Sequence, residues 1–365
     1  MKVLVAPLDW GLGHATRCVP VIREFLRQGA KVELAVVKSN AGLLRRIFPN
    51  LRQHLAPSYN IVYPKHGYNM GLWLLKNGAH LNKVIRFERM YAEKMVESHG
   101  FDVLVSDNRF GFYSRKAKSI YMTHQRRIAF PPMLSAFEPT GILWHAAVMR
   151  HFDEVWVPDL PEYPGFAGRM SHVSLAPRPI KFVGALSRFA GQETRQKEQA
   201  APKYKFVAVV SGVEPARSRF ENMLKEAFSK IEGRHAIIMG RPALGVKSWN
   251  EGNVDFFTHL EDEAFAETIQ SADWVVSRGG YSTIMDMAVL KAKCIFVPTP
   301  GQYEQVVLAR DLAEARSALT IDEKNFDDRS LLQMISQSSD DVRLPDTPKN
   351  ELLKQAVLQS FRKRV

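Results

Sequence analysis

The residues best equipped for chemistry lie in two glycine-containing turns, one in each half of the 365-residue chain. In residues 277–312, SRGGYSTIMDMAVLKAKCIFVPTPGQYEQVVLARDL, Gly279 and Gly280 make a turn after an apolar run. Ser282 and Thr283 bring hydroxyls to a place where a starting helix leaves its first N–H groups unpaired. Amides and the helix dipole both favour a phosphate at such a turn. Asp286 follows Ser282 by four residues and shares its helix face one turn further on. A carboxylate there accepts two hydrogen bonds from the vicinal hydroxyls of a ribose whose phosphates occupy the turn. The plainer alternatives are a packing turn and an acid placed early in a helix by the dipole. In the first half, Gly11-Leu12-Gly13 leads to His14. An imidazole titrates near neutrality and suits general-base work, although a histidine also serves to cap its own helix.

Both turns need strands and helices to hold them. Residues 2–7 form an apolar run typical of a buried parallel strand, and 16–28 carry Val19, Ile22, Phe25 and Leu26 at helical spacing. Further strands are expected at 31–37, 61–63, 102–106, 119–122, 154–157 and 181–184, with helices at 41–48, 70–97 and 143–151. Residues 130–139, broken by prolines, read as a mobile loop. Residues 187–203 are polar and structurally undemanding, and read as a linker. Beyond it, strands are expected at 204–211, 235–239, 254–257, 274–276 and 294–297. Helices are expected up to 231, at 262–271, after the Gly279-Gly280 turn, from 303 onward and at 351–363. The alternation predicts two α/β domains, 1–186 and 204–345, followed by a C-terminal helix within 346–365.

Size and charge agree with that division. A chain of this length exceeds the usual single core. Its 45% hydrophobic and 24% charged residues are ordinary for a soluble globular protein. No apolar run reaches the ~18 residues of a membrane span, and the chain enters a strand without a signal-peptide pattern. Cys18 and Cys294 fall in core elements of different halves, which points to a cytoplasmic protein with neither a disulfide nor a metal site. Residues 1–186 hold 25 Lys and Arg against 13 Asp and Glu, whereas the remainder holds 25 of each. The excess positive charge therefore belongs to the first half and implies an anionic partner there. Leu72, Trp73 and Leu75, interleaved with Lys76, Lys83 and Arg86, suit either an anionic bilayer or packing on the sheet. No recognition helix or aromatic RNA-binding strand supports a nucleic-acid partner.

Residues 277–312 resemble the donor-nucleotide signature of UDP-sugar glycosyltransferases of the GT-B fold, above all family 28, the lipid-linked N-acetylglucosaminyltransferases of peptidoglycan synthesis. In those families a ribose-binding Glu follows the Gly-rich turn by six residues. Gly280 and Asp286 hold these places here, with a shorter carboxylate. Glu304 and Gln305 occupy the place of a polar pair that contacts the sugar. Gly13-His14 is similar to the first loop of GT-B enzymes, whose His points into the cleft. Thr123-His124-Gln125 resembles a family 28 turn reading His-Glu-Gln; the acid is absent, so the carry-over to His124 and Gln125 is partial. Ser211 and Gly212 match a turn near the diphosphate, and Leu260 a position that reads the base through its backbone. Arg217 either meets phosphate charge or stays solvated.

The resemblance implies two Rossmann-like α/β/α domains facing across a cleft, with the C-terminal helix packing back on the first domain. It implies transfer of a sugar from a UDP-sugar to an acceptor hydroxyl, with inversion and without a metal or cofactor. Amides at 279–283 would stabilise the leaving diphosphate, and His14 would deprotonate the acceptor. The donor would sit in the second domain. The acceptor, lipid-linked or anionic, would sit in the basic first domain, which would touch the inner membrane face. The rival readings are a UDP-sugar hydrolase or 2-epimerase on the same fold, and a non-catalytic nucleotide-sugar-binding protein.

Overall fold

The computed structural model describes residues 1–9, 12–59, 70–190, 202–347 and 351–361; the side chains of 70–77 and 79 fall outside that description. The expected strand at 61–63, most of the linker, and the side chains of Leu72, Trp73, Leu75 and Lys76 therefore lie outside the described residues. Two compact units result. One contains the described residues up to Ala190 and those from Thr347 onward, and the other contains 202–346.

The first unit runs β1 (Lys2–Pro7), α1 (Leu12–Arg27), β2 (Lys31–Val36), α2 (Lys38–Ile47), β3 (Gln53–Leu55), α3 (Met70–His99), β4 (Val103–Asp107) and β5 (Lys118–Met122). It continues with α4 (Glu138–Met149), β6 (Glu154–Val157) and β7 (Ile180–Phe182). The strands form one sheet in the order β3-β2-β1-β4-β5-β6-β7, all parallel. Val3, Leu4, Val5 and Ala6 of the central β1 are inaccessible, as an apolar run covered on both faces must be.

A buried ion pair fixes α3 against this sheet. Arg109 Nε donates to Glu88 Oε1 at 2.7 Å, and its other nitrogens reach the carbonyls of Pro7 and Pro57. Glu88 also accepts from the Tyr59 hydroxyl and, at 3.1 Å, from the Gly111 amide. A Cβ on Gly111 would collide with the Ile85 carbonyl, so α3 approaches as closely as glycine alone permits.

The second unit comprises β8 (Tyr204–Val209), α5 (Ala216–Ser229), β9 (His235–Ile238), β10 (Ser248–Glu251), β11 (Val254–Phe257), α6 (Asp262–Gln270) and β12 (Ala272–Ser277). It continues with α7 (Tyr281–Val289), β13 (Cys294–Phe296), α8 (Tyr303–Glu314), β14 (Leu319–Thr320) and α9 (Asp328–Ser336). Its sheet order is β10-β11-β9-β8-β12-β13-β14, parallel apart from the β10–β11 hairpin. The last helix, α10 (Glu351–Ser360), belongs to the first unit. It buries Leu353, Ala356 and Val357, and Phe361 just beyond it stacks 6.5 Å from Phe25 of α1.

Several expectations change. The segment read as a mobile loop is a 3-10 turn at Pro132–Phe137 running into α4, which begins at Glu138 rather than 143. Pro132 and Pro139 stand at helix starts, where the missing N–H costs nothing. Ser187 and Phe189, assigned to an undemanding linker, are buried in the first unit. Strands β3, β10 and β14 and helix α9 had no expectation. The three strands have two to four residues each and take their shape from a neighbouring strand.

Candidate active site

Parallel strands of a doubly wound sheet deliver their loops to one edge, and ligands bind where the winding reverses. In the first unit that point lies between β1 and β4. The register pairs Pro7 with Asp107 and Asp107 with Met122, so the loops after β1, β4 and β5 leave side by side. His14 and Arg17, one helical turn apart on α1, therefore meet Asp107 at the end of β4 and His124 just past β5.

The contacts are close. His14 Nδ1 lies 2.9 Å from Asp107 Oδ2. Arg17 Nε donates to Asp107 Oδ1 at 2.8 Å, and its Nη2 donates to the same oxygen. Arg17 Nη2 is also 2.8 Å from His14 Nδ1, and Nη1 is 3.1 Å from His124 Nδ1. Asp107 is fully buried and Arg17 nearly so, while the His14 side chain keeps 15% of its surface. Burial pushes the Asp107 carboxyl up, but Arg17 and then His14 outweigh it and hold the group below its ordinary value. Asn108, next in the chain, sits at φ 56° and accepts from the Tyr121 hydroxyl at 2.9 Å. A non-glycine residue in the left-handed region beside a buried cluster is a feature of functional loops. Gly13 and Gln125 are half-buried; the Gly13 carbonyl accepts from Thr16 and the Gln125 amide donates to Thr123 Oγ1.

The second unit repeats the plan between β8 and β12, where Ser277 pairs with Val209 on one side and Phe296 on the other. The loops carrying Ser211 and Gly212, Leu260, and Gly279 and Gly280 leave this edge, as does the turn into α8, whose first turn holds Glu304 and Gln305. Gly280 is the N-cap of α7 and supplies no side-chain cap, so Ser282 and Thr283 are the second and third helical residues rather than the cap. Asp286 is half-buried one turn along. Gly212 has φ +107° and nothing within 4 Å of a would-be Cβ, a conformation that suits glycine next to a ligand. Leu260 is buried in the turn before α6.

Two expected ligand contacts have partners within the chain. Gln305 Oε1 accepts from the Thr299 amide at 2.9 Å while its Nε2 donates to Gln302 Oε1, which clips the Pro298–Gly301 turn together. Arg217 is neither on a free surface nor isolated: it pairs with Glu214 at 2.7 Å and reaches the Met239 carbonyl.

The sequence reading passed over Asp107, Arg17, Ser277 and Arg278. Arg278 is buried beneath the glycine turn, 3.9 Å over the Phe220 ring, and pairs with Glu323 at 2.5 Å. It also donates to the carbonyl of Val297 at 2.9 Å, tying the β12 turn to the end of β13. Ser277 Oγ, at the end of β12, is buried and makes no hydrogen bond among the described residues. The available signal for Asp107 was an acid ending an otherwise apolar strand, at the edge where ligands bind.

Comparisons with known proteins bear on the sequence family and the fold. Residues 208–361 match the model of the glycosyltransferase family 28 C-terminal domain. An uncharacterized glycosyltransferase of Methanosarcina acetivorans is 25% identical over 86% of this chain and 82% of its own. The chain is a glycosyltransferase with the GT-B fold, and its second unit is similar to family 28. The UDP-N-acetylglucosamine–N-acetylmuramyl-(pentapeptide) pyrophosphoryl-undecaprenol N-acetylglucosamine transferase of Pasteurella multocida is 28% identical over 41% of each chain. A solved spinosyn rhamnosyltransferase complexed with thymidine diphosphate shares the fold of this glycosyltransferase, with a TM-score of 0.60 and 15% identity over 99% of this chain and 95% of the other.

Proposed function

We propose that this glycosyltransferase moves a sugar from a UDP-sugar to an acceptor hydroxyl with inversion, using His14 as the general base. The observation that carries the reading is the 2.9 Å approach of His14 Nδ1 to the buried Asp107 carboxylate. A proton on Nδ1 donated to Asp107 leaves Nε2 to take the acceptor proton, and Asp107 stabilises the imidazolium that forms. The deprotonated oxygen attacks the anomeric carbon, and the diphosphate leaves with the bonding electrons. Amides at the start of α7 receive its charge, so the leaving group needs no metal to depart. Asp286 holds the ribose hydroxyls.

A uridine donor is supported by the name of the Pasteurella relative, a UDP-N-acetylglucosamine-dependent enzyme. The same name mentions a pyrophosphoryl-undecaprenol acceptor. A lipid-linked acceptor at an anionic membrane fits α3, where Phe87 and Met90 are exposed beside Lys83, Arg86 and Lys94. A cavity of about 530 Å³ lies there, lined by Pro57, Val84, Phe87, Met90 and Tyr91 among others.

The test is release of nucleoside diphosphate from UDP- and dTDP-sugars, with and without a membrane lipid extract. Release from a UDP-sugar that depends on the extract and yields a glycosylated lipid is expected. Equal release without any acceptor would point to a hydrolase, and preference for the dTDP-sugar would overturn the donor assignment.

A further inference from the structure

We propose that Arg17 is a positioning residue that gives His14 and His124 opposite proton roles, His14 as a proton acceptor and His124 as a neutral donor. The proposal rests on the reading of His14 as the base.

A guanidinium carries five donors, no acceptor and a permanent charge. A ring nitrogen that faces it with no carboxylate alongside must therefore accept. His124 Nδ1, 3.1 Å from Arg17 Nη1, is such a nitrogen, which places the His124 proton on Nε2. His124 is buried, and a second proton on Nδ1 would have to displace a permanent cation.

His14 has the same cation 2.8 Å from Nδ1, but Asp107 Oδ2 faces that nitrogen at 2.9 Å. The carboxylate draws the proton to Nδ1. Alone, a buried carboxylate would also stabilise the doubly protonated ring and disable it as a base. Arg17 opposes this, because it is a fixed positive charge at the same nitrogen and occupies Asp107 Oδ1 with Nε and Nη2. Asp107 thus orients the ring without holding it protonated.

His145 of α4, its pKa lowered to about 4 by burial, feels both His124 and Arg126; among the described residues, the titratable groups facing Asp107 include Cys18 on α1 and Tyr121 on β5. Burial first, then Asp107, pushes both well above their ordinary values, so both remain neutral. Asp107 and Arg17 remain the charged pair against which His14 titrates, with neutral His124 on the far side of Arg17.

The experiment is a histidine-ring NMR titration of the full chain, with His14→Ala and His124→Ala assigning the two rings. In the parent, His124 is expected as the Nε2–H tautomer. In Arg17→Gln, which keeps a donor and removes the charge, the His14 titration should move up by about 1–3 pH units. Arg17→Lys restores a cation and should bring it back towards the parent. An unmoved His14 titration in folded Arg17→Gln, or a parent His124 protonated on Nδ1, would overturn the proposal. Should Arg17→Gln not fold, the parent tautomer and the Arg17→Lys titration decide; a His14 shift in Arg17→Lys as large as that expected on loss of the charge would overturn it. UDP release from UDP-N-acetylglucosamine with a membrane lipid extract separates the two readings. Undiminished release by His14→Ala removes the base assignment whatever the titration shows. An unmoved titration together with lost release in His14→Ala removes only the role of Arg17.

Discussion

At the residue scale, the site depends on Asp107, which is buried with its charge intact because Arg17 and His14 compensate it. Asp107→Asn keeps the shape but lets the His14 ring turn and lose its oriented proton. Turnover should fall by about 10²–10⁴-fold, measured as UDP release at saturating donor. The same carboxyl gives a pH signature. Its folded value lies below the ordinary 3.8, so its stabilisation is complete above about pH 4 and is lost as pH falls through the folded value. Thermal unfolding followed from pH 6 down to 2.5 should show a decline in the parent that is shallower in Asp107→Asn. Parallel curves would mean that Asp107 titrates normally. In the second unit, Asp286→Ala should weaken UDP binding by about 1.5–3 kcal/mol by calorimetry, with little change in ligand-free stability. His14 and Asp286 stand out in the sequence because of their spacing from glycine turns. Asp107 and Arg17 do not, since their contact comes from strand register across 90 residues of sequence.

At the element scale, the α7 turn is held from below by Arg278, whose partners come from α5, the residue after β13 and the segment after β14. Arg278→Met strips one charge-assisted hydrogen bond from Glu323, which keeps Arg219 at 3.1 Å, a loss of about 1.5–3 kcal/mol. Arg278→Met should therefore destabilise the second unit by about that amount in urea unfolding and weaken UDP binding as well. A loss under about 1 kcal/mol would show that the pair does not organise the turn. The long elements were legible because apolar runs and helical periodicity extend over enough residues to be unambiguous. Strand β6 and strand β11 lie where expected, and α3 starts at the expected residue. The short edge strands were not legible, because two to four residues carry too little pattern of their own. The stretch at 130–139 misled because its prolines stand at helix starts rather than at a break.

At the scale of the whole molecule, the charge imbalance and the two-unit division come from composition and alternation, and both need no structure to see. The surface that would use the charge is less direct. The expected apolar anchors at Leu72, Trp73 and Leu75 lie outside the described side chains, whereas Phe87 and Met90, further along α3, are 51% and 67% exposed. Among the described residues, no helix is long and apolar enough to cross a membrane. Cosedimentation with anionic but not zwitterionic vesicles is expected, weakening as salt rises, with each nearby Lys or Arg worth about 1 kcal/mol. Phe87→Ser/Met90→Ser should bind less and keep its UDP affinity; equal cosedimentation of parent and variant would remove α3 as the contact. The proposed reaction uses a base in one unit and a donor site in the other. It is tested most directly by measuring UDP affinity and lipid-dependent UDP release together in His14→Ala. Release lowered by about 10²–10⁴-fold with UDP affinity near that of the parent is expected. Release at the parental rate, or a loss of UDP affinity large enough to explain the lost turnover, would contradict it.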